Sequence, residues 1–417
     1  MDTIASSASA APSASLPRRF ETLIPPLLRE PLASLRRDLR VIVQGLYGRH
    51  PPPLLPPRPP RPGSAAVLTP RTLRVEQVVR ETADAVTLWL HDPSGAPIPF
   101  VPGQFFTVLL NLDGQTVRRA YSVCSSAFDT SRVAITCKRI PGGRVSSYLH
   151  EKAQPGMALK VLGPSGNFTV APDPSRTRSL VLLGGGSGIT PLMAIARAVL
   201  HAEPRTQVAL LYGNRSADDI IFAGELTALA EAHPGRFTLR HILQEPAPDW
   251  SGGVGLLDEP TLALELQKLT AAPIDDAGPT EYFICGPTGM MAAARAVLRA
   301  RGVPAAQIYE ERFASPHRPA TAQTQDAAPQ PMELRRGNEQ RRLTVLKGET
   351  LLEAGLRTGA AMPFSCAMGG CGACKVKLDK GQVVMQEPNC LSAEERAAGY
   401  VLACIASPCT AVEVELP

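Results

Sequence analysis

Apolar and polar residues alternate along "TLRVEQVVRETADAVTLWLH", residues 72–91, and again in short bursts at "GQFFTVLLNL", "RVAITCKRI" and "MALKVLGP". A period of two is that of a strand with one buried face. Glycine and proline turns separate the bursts. From about residue 65 the chain therefore predicts an antiparallel β-barrel or sandwich. Near residue 178 the pattern changes. "SLVLLGGG" reads as a buried strand ending in glycines, and "PLMAIARAVLHA" follows with helical spacing. Strand and helix then alternate through "QVALLYGN", "FAGELTALAEAH", "FTLRHIL", "EYFICG" and "MMAAARAVLRARG". That alternation predicts an α/β doubly wound parallel sheet.

The remaining stretches divide the chain. "SPHRPATAQTQDAAPQP", 315–331, is a polar, Pro/Ala-rich linker, and 332–417 forms a small mixed unit. Ahead of the barrel, residues 1–17 are Ala/Ser-rich. "PLASLRRDLRVIVQGLYG" places Leu35, Leu39, Ile42, Val43 and Leu46 near one helical face, opposite Arg36, Arg37 and Arg40. "PPPLLPPRPPRPG", 51–63, is a stiff polyproline-type linker. The expected domains are an extension (1–64), a barrel (65–175), a doubly wound domain (176–314), the linker and the small unit.

A length of 417 residues agrees with two or three cores. No run approaches the roughly 18 to 20 apolar residues that span a bilayer. The first residues have neither the basic nor the apolar region of a signal peptide, so a cytoplasmic location is expected. Nine cysteines in a reducing compartment argue for metal or catalysis before disulfides. Residues 1–64 hold nine Arg against four Asp and Glu, an excess equal to the whole chain's net +5. The basic character belongs to the extension, and no nucleic-acid partner is expected of the core.

Candidate chemistry starts in "PFSCAMGGCGACKVKL", 363–378. Cys366, Cys371 and Cys374 are spaced C-x4-C-x2-C, with Cys404 further on in "YVLACIASP". Four thiolates at that spacing suit a plant-type [2Fe–2S] cluster. Structural zinc usually takes two C-x2-C pairs, and the second pair is missing here. Gly369, Gly370 and Gly372 let the loop wrap closely. Cys390 and Cys409 read as packed residues.

In "VLLGGGSGITPLM", Gly184, Gly185, Gly186, Gly188 and Thr190 stand where a strand meets a helix, a place suited to phosphate. The spacing is not G-x-G-x-x-G, and a plain structural joint would look the same. A second strand end, "YFICGPTGMM", carries Cys285, Gly286 and Pro287. Arg215 and Ser216 follow a strand where an adenosine ribose would rest. Arginine there favours a 2′-phosphate, hence NADPH with NADH still possible.

"RRAYSVCSS" supplies Arg119, Ala120, Tyr121 and Ser122. A tyrosine can stack on a flavin ring, a serine can bond near N5, and an arginine can pair with pyrophosphate. "GGRVSSYLH" adds Gly142, Gly143, Val145 and Ser146, which resemble the phosphate-binding helix start of the ferredoxin–NADP reductase superfamily, and "PGQF" and "GPSGNF" also fit that pattern.

Residues 332–417 resemble a plant-type ferredoxin domain through "MPFSCAMGGCGACKVKLDKGQV" and "LSAEERAAGYVLACIASP". "GGGSGITPLM", "CGPTGMM" and the R-x-Y-S motif resemble the ferredoxin–NADP reductase superfamily. In order, 65–417 looks like the reductase component of oxygenases and desaturases, closest to the phenylacetyl-CoA epoxidase and ketosteroid hydroxylase reductase branches. The resemblance implies a β-grasp ferredoxin domain and FAD more than FMN. It implies a nicotinamide near Cys285. "YEERF" matches the end of the reductase core, with Glu311 near the nicotinamide and Phe313 near the flavin. Ser122, Cys285 and Glu311 are then the candidate catalytic residues. Hydride would pass from NADPH to FAD, and single electrons would leave through the cluster. The acceptor would be an oxygenase, a hydroxylase or a membrane fatty-acid desaturase, with residues 18–49 as a possible peripheral membrane contact. A soluble diiron or Rieske oxygenase, or a cytochrome, is the alternative acceptor. A redox-sensing module is the alternative class.

Overall fold

The computed structural model describes residues 70–112, 114–270, 278–313, 328–367, 369–386, 389–391 and 393–417. They all fall within one compact unit, Pro52–Pro417. The extension, with the amphipathic stretch at 18–49, and most of the predicted linker lie outside the described residues.

The alternating region folds into six antiparallel strands. They are β1 (Arg71–Thr82), β2 (Ala85–His91), β3 (Phe105–Leu112), β4 (Gln115–Ser122), β5 (Arg132–Lys138) and β6 (Ala158–Ser165). Their order is β4-β3-β6-β1-β2-β5. A bridge between Val123 and Ile135 joins the outer strands and closes the sheet into a barrel. Leu88, Phe106, Val108, Ile135 and Val161 fill its interior, fully buried. Helix α1 (Arg144–Lys152) lies between β5 and β6 and packs Val145 and Leu149 on the same core.

The second region is a six-stranded parallel sheet with helices on both faces. Its elements are β7 (Ser179–Gly185), α2 (Ile189–Ala202), β8 (Gln207–Asn214), α3 (Ala223–Ala232), β9 (Phe237–Leu243), β10 (Gly253–Val254), α4 (Glu259–Thr270), β11 (Thr280–Cys285), α5 (Thr288–Ala300) and β12 (Ile308–Glu311). The order β10-β9-β8-β7-β11-β12 means the chain winds outward from β7, then re-enters on its other side at β11. Crevices at such a reversal, beyond the carboxyl ends of the strands, are where open α/β sheets bind ligands. At the opposite end, Arg178 forks onto Glu203 at 2.6 Å and reaches Glu281 at 2.7 Å. Arg178 and Glu203 are both buried, so removing either partner would cost about 3–5 kcal/mol. That end of the sheet is pinned. Phe168, Val170 and Cys124 of the barrel region share one apolar cluster with Leu192, Ile195 and Val199 of α2, so barrel and sheet pack as one body.

The third region holds β13 (Gln330–Arg336), β14 (Glu339–Val345), α6 (Leu351–Arg357), β15 (Lys375–Lys380), β16 (Val383–Met385), α7 (Ala393–Ala397), β17 (Tyr400–Leu402), β18 (Ala406–Pro408) and β19 (Val412–Glu415). The mixed sheet runs β14-β13-β19-β15-β17, with β13 and β19 parallel. Strand β13 starts at Gln330, so the predicted linker gives its last two residues to the sheet. Pro331 is tolerated because pairing with β19 starts only at Met332.

Candidate functional site

The four cysteines of the loop region gather as two pairs. Cys374 Sγ lies 3.1 Å from Cys404 Sγ. The Cys366 N–H donates to Cys371 Sγ at 3.4 Å, and the Gly369 N–H donates to Cys404 Sγ at 3.2 Å. Cys366, Cys374 and Cys404 are buried and Cys371 is half-buried. The loop turns back on itself at Gly369 and Gly372, both with positive φ, a region where side chains are strained. Contact with its paired thiol, and then burial, pushes both Cys371 and Cys374 well up. A metal would displace those protons. Among the described residues no three such side chains close on one point. The arrangement suits two metal ions with two thiolates each better than one tetrahedral ion. Cys390 sits against this loop, its N–H on the Gly369 carbonyl, while Cys409 is exposed.

On the barrel, β4 presents Arg119 to Ser122. The Ser122 hydroxyl is buried and has no hydrogen-bond partner in the protein, and neither has that of Ser165 in "GPSGNF". Two orphaned buried hydroxyls beside one another's strands suit a polar ligand, since an unpaired buried hydroxyl is costly. Phe105 pairs with both Ser122 and Ser165, which puts the three on adjacent strands. The Tyr121 hydroxyl accepts from the Cys137 thiol at 3.4 Å. Burial depresses the Arg119 guanidinium, and the charge of Arg144 adds to that effect. An anion beside Arg119 would relieve it. Gly143 caps α1 without any side-chain cap and without an acid in the first turn, which leaves backbone donors for a phosphate. Val145 is buried in the core, and the Ser146 hydroxyl is taken by the turn itself, accepting from the Ile140 N–H and donating to the Gly143 carbonyl.

The two glycine-marked strand ends are neighbours. Gly184 pairs with Cys285. A Cβ on Gly188 would stand 2.0 Å from the Cys285 carbonyl oxygen, and one on Gly185 would stand 2.6 Å from Pro287 Cδ. These glycines are demanded first by the close approach of the two joints. A Cβ on Gly286 would stand 2.6 Å from Met290 Cε and 3.0 Å from the Gly185 nitrogen, and Thr190 spends its hydroxyl on the Ser187 carbonyl. Burial pushes the Cys285 thiol well up, with Glu311 the second cause, so it stays a neutral thiol. Glu311 pairs with Cys285 across β11 and β12. Burial pushes its carboxyl up to about 8, and Cys366 adds to this. Glu310 points the other way, to Arg295 and Arg312. Phe313 is half exposed.

Arg215 forks onto Asp219, with Nε at 2.9 Å and Nη2 at 2.8 Å. Ser216 donates from its hydroxyl to the same carboxylate at 2.7 Å. Asn214 escapes a motif reading. It ends β8 with a buried carboxamide that forms no well-made hydrogen bond. A polar residue closing an otherwise apolar strand was its one signal.

Three family models match in chain order. An oxidoreductase FAD-binding domain covers 72–170, an oxidoreductase NAD-binding domain 182–296, and a 2Fe-2S iron-sulfur cluster binding domain 336–409. The chain is 36% identical over 343 residues to a component of the 1,2-phenylacetyl-CoA epoxidase of Escherichia coli (strain K12), covering 81% of this chain and 95% of that protein. This chain belongs to the ferredoxin–NADP reductase superfamily, in the branch that carries a 2Fe–2S domain. The glycine betaine monooxygenase reductase of Chromohalobacter salexigens is 32% identical over 358 residues, with 82% of this chain and 94% of that one covered. Among solved structures, phthalate dioxygenase reductase shares the fold at a TM-score of 0.55 and 24% identity, over 83% of this chain and 97% of that one. CYP116B46 of Tepidiphilus thermophilus aligns at a TM-score of 0.56 and 25% identity, over 87% of this chain and 43% of that one. This member of the superfamily is thus an NAD(P)H-dependent oxidoreductase with FAD, NAD(P)H and a [2Fe–2S] cluster as its cofactors. Among the described residues no helix is long and apolar enough to cross a membrane.

Proposed function

We propose that this reductase supplies single electrons to a terminal oxygenase. The names of its relatives, a component of an epoxidase and the reductases of two monooxygenases, support that class of acceptor. The observation that carries the reading is the seating of the Cys366–Cys371 pair directly on Phe105 and Ala120 of the flavin-motif strands. Bound FAD and the cluster together convert a two-electron donor into one-electron steps. This chain's residues then divide the work. Tyr121 would stack on the flavin, the unpaired Ser122 hydroxyl would bond near its N5, and Arg119 with the Gly143 end of α1 would take the pyrophosphate. Cys285, a neutral thiol, and Glu311 would border the nicotinamide. Cys366, Cys371, Cys374 and Cys404 would hold the cluster.

NADPH is the proposed donor, although Arg215 already faces Asp219. The side chain of Arg215 is 61% exposed, so water and salt screen its pair with Asp219. Charge-assisted bonds to a phosphate are stronger, so the fork can reorient. A membrane desaturase as acceptor, and a membrane contact through 18–49, rest on residues outside those described. A cytoplasmic location remains the proposal, on the ground that free thiols persist there.

Anaerobic stopped-flow with NADPH and with NADH tests the reading. Flavin bleaching followed by cluster bleaching is expected, and faster with NADPH. Arg215→Ala should cost about tenfold in KM for NADPH and nothing for NADH. Flavin bleaching that never reaches the cluster would end the relay. An unchanged NADPH KM would end the Arg215 assignment.

A further inference from the structure

Pairing places successive residues of β3 and β4 on alternate faces. Through Phe105↔Ser122, Thr107↔Ala120 and Leu109↔Arg118, one face carries Phe105, Thr107, Arg118 and Ala120. That face is covered by the ferredoxin domain. Thr107 is fully buried, and its hydroxyl donates to the main-chain carbonyl of Cys366 at 3.2 Å. Phe105 packs on Cys366, with Ala120 and Cys371 alongside. At the margin, Arg118 Nη2 meets Glu353 Oε1 at 2.6 Å. The other oxygen of Glu353 accepts from the Thr350 N–H and closes the cap of α6. A buried strand thus holds the cluster loop, and an ion pair at the rim holds the helix behind it.

We propose that Thr107 and Arg118 are positioning residues for the step between flavin and cluster. That step moves one electron from the reduced flavin to the oxidised cluster, with NAD(P)H as source of the pair. Thr107 fixes the backbone at a cluster ligand, and Arg118 fixes the domain through Glu353. Small displacements between reacting groups carry large losses in rate, so contacts that set separation set the rate. The two contacts differ in kind. The Thr107 bond is neutral and buried, hence insensitive to salt, whereas the Arg118–Glu353 pair is about one-third exposed on each side and is screened. The inference rests on the relay proposed above.

The test uses the holoprotein with Thr107→Val, Arg118→Glu, Glu353→Arg and the double reversal Arg118→Glu/Glu353→Arg. Hydrogen exchange of the 366–374 loop and α6 reads docking without turnover. Stopped-flow reads cluster bleaching after flavin bleaching. Thr107→Val should speed exchange in the loop and slow cluster bleaching roughly tenfold, at low and high salt alike, with flavin bleaching unchanged. Each single charge reversal should slow cluster bleaching at low salt, and the double reversal should restore it. Wild-type exchange and rates in Thr107→Val and Arg118→Glu, or no restoration by the double reversal, would overturn the proposal. If the wild-type cluster never bleaches, the relay has failed, and hydrogen exchange alone decides the docking contacts.

Discussion

The cysteine loop and the paired glycine strand ends reach their chemistry by opposite means. In the loop the working atoms are side chains. Four thiols meet in two pairs, and the turns exist to present them. At the strand ends the working surface is backbone, and the protein needs its glycines before any nucleotide arrives. A side chain at Gly188 would strike the Cys285 carbonyl whether or not a nucleotide is bound. The loop can lose a ligand and leave the rest of the fold standing. Gly185 and Gly188 cannot gain a side chain without moving what they touch.

The sharpest way to break this contrast is Cys374→Ser, which removes one half of the Cys374–Cys404 pair. Visible absorbance and EPR of the cluster should vanish, and electron delivery to a protein acceptor should fall at least about 100-fold. NAD(P)H should still bleach the flavin. If flavin reduction were lost too, the two regions would not be separable. Gly188→Ala comes next. Overpacking against main chain should cost about 1–3 kcal/mol, or roughly 2–4 °C in melting temperature for each kcal/mol. An unaltered melting curve would show that the joint yields freely and that the glycine serves the ligand alone. Ser122→Ala is the smallest and the most discriminating. Its hydroxyl has no protein partner, so the apoprotein should melt no lower, while flavin reduction slows roughly three- to tenfold. A clear loss of apoprotein stability would mean that the hydroxyl serves the fold.

What could be read from the sequence follows the same division. Cys366, Cys371, Cys374 and Cys404 were legible because ligand chemistry resides in side-chain identity and spacing. The R-x-Y-S run was legible as a motif, and the alternation around it marked most of the barrel strands. Thr107 was not, because its partner Cys366 lies 259 residues away, and no local pattern encodes such a contact. Arg215 was read as a cation waiting for a phosphate, although Asp219, one helical turn on, already takes its fork. An acid at i+4 is the local signal for that pair. Helix α4 is not marked by the apolar pattern. It buries Leu262 and Leu266 yet leaves Leu264 more than half exposed, so its apolar residues do not mark a single clean stripe. The glycines of "GGGSG" pointed to a phosphate by type. That Gly185 and Gly188 are also required by contact with the joint after β11 depends on the order of strands, which composition does not contain.

One property of the strand pair β3–β4 reaches beyond this molecule's own chemistry. Phe106 and Val108 face Tyr121 and Arg119 on one side, while Phe105, Thr107, Arg118 and Ala120 serve the other. The pair is a parity device. Inserting or deleting a single residue within β4 would exchange its two faces and send Arg118 where Arg119 now stands. A change of two residues would restore the alternation. A barrel that works on both faces is therefore free to vary its length here only in even steps, and the ferredoxin domain at the far end of the chain enforces that arithmetic on a strand more than two hundred residues before it.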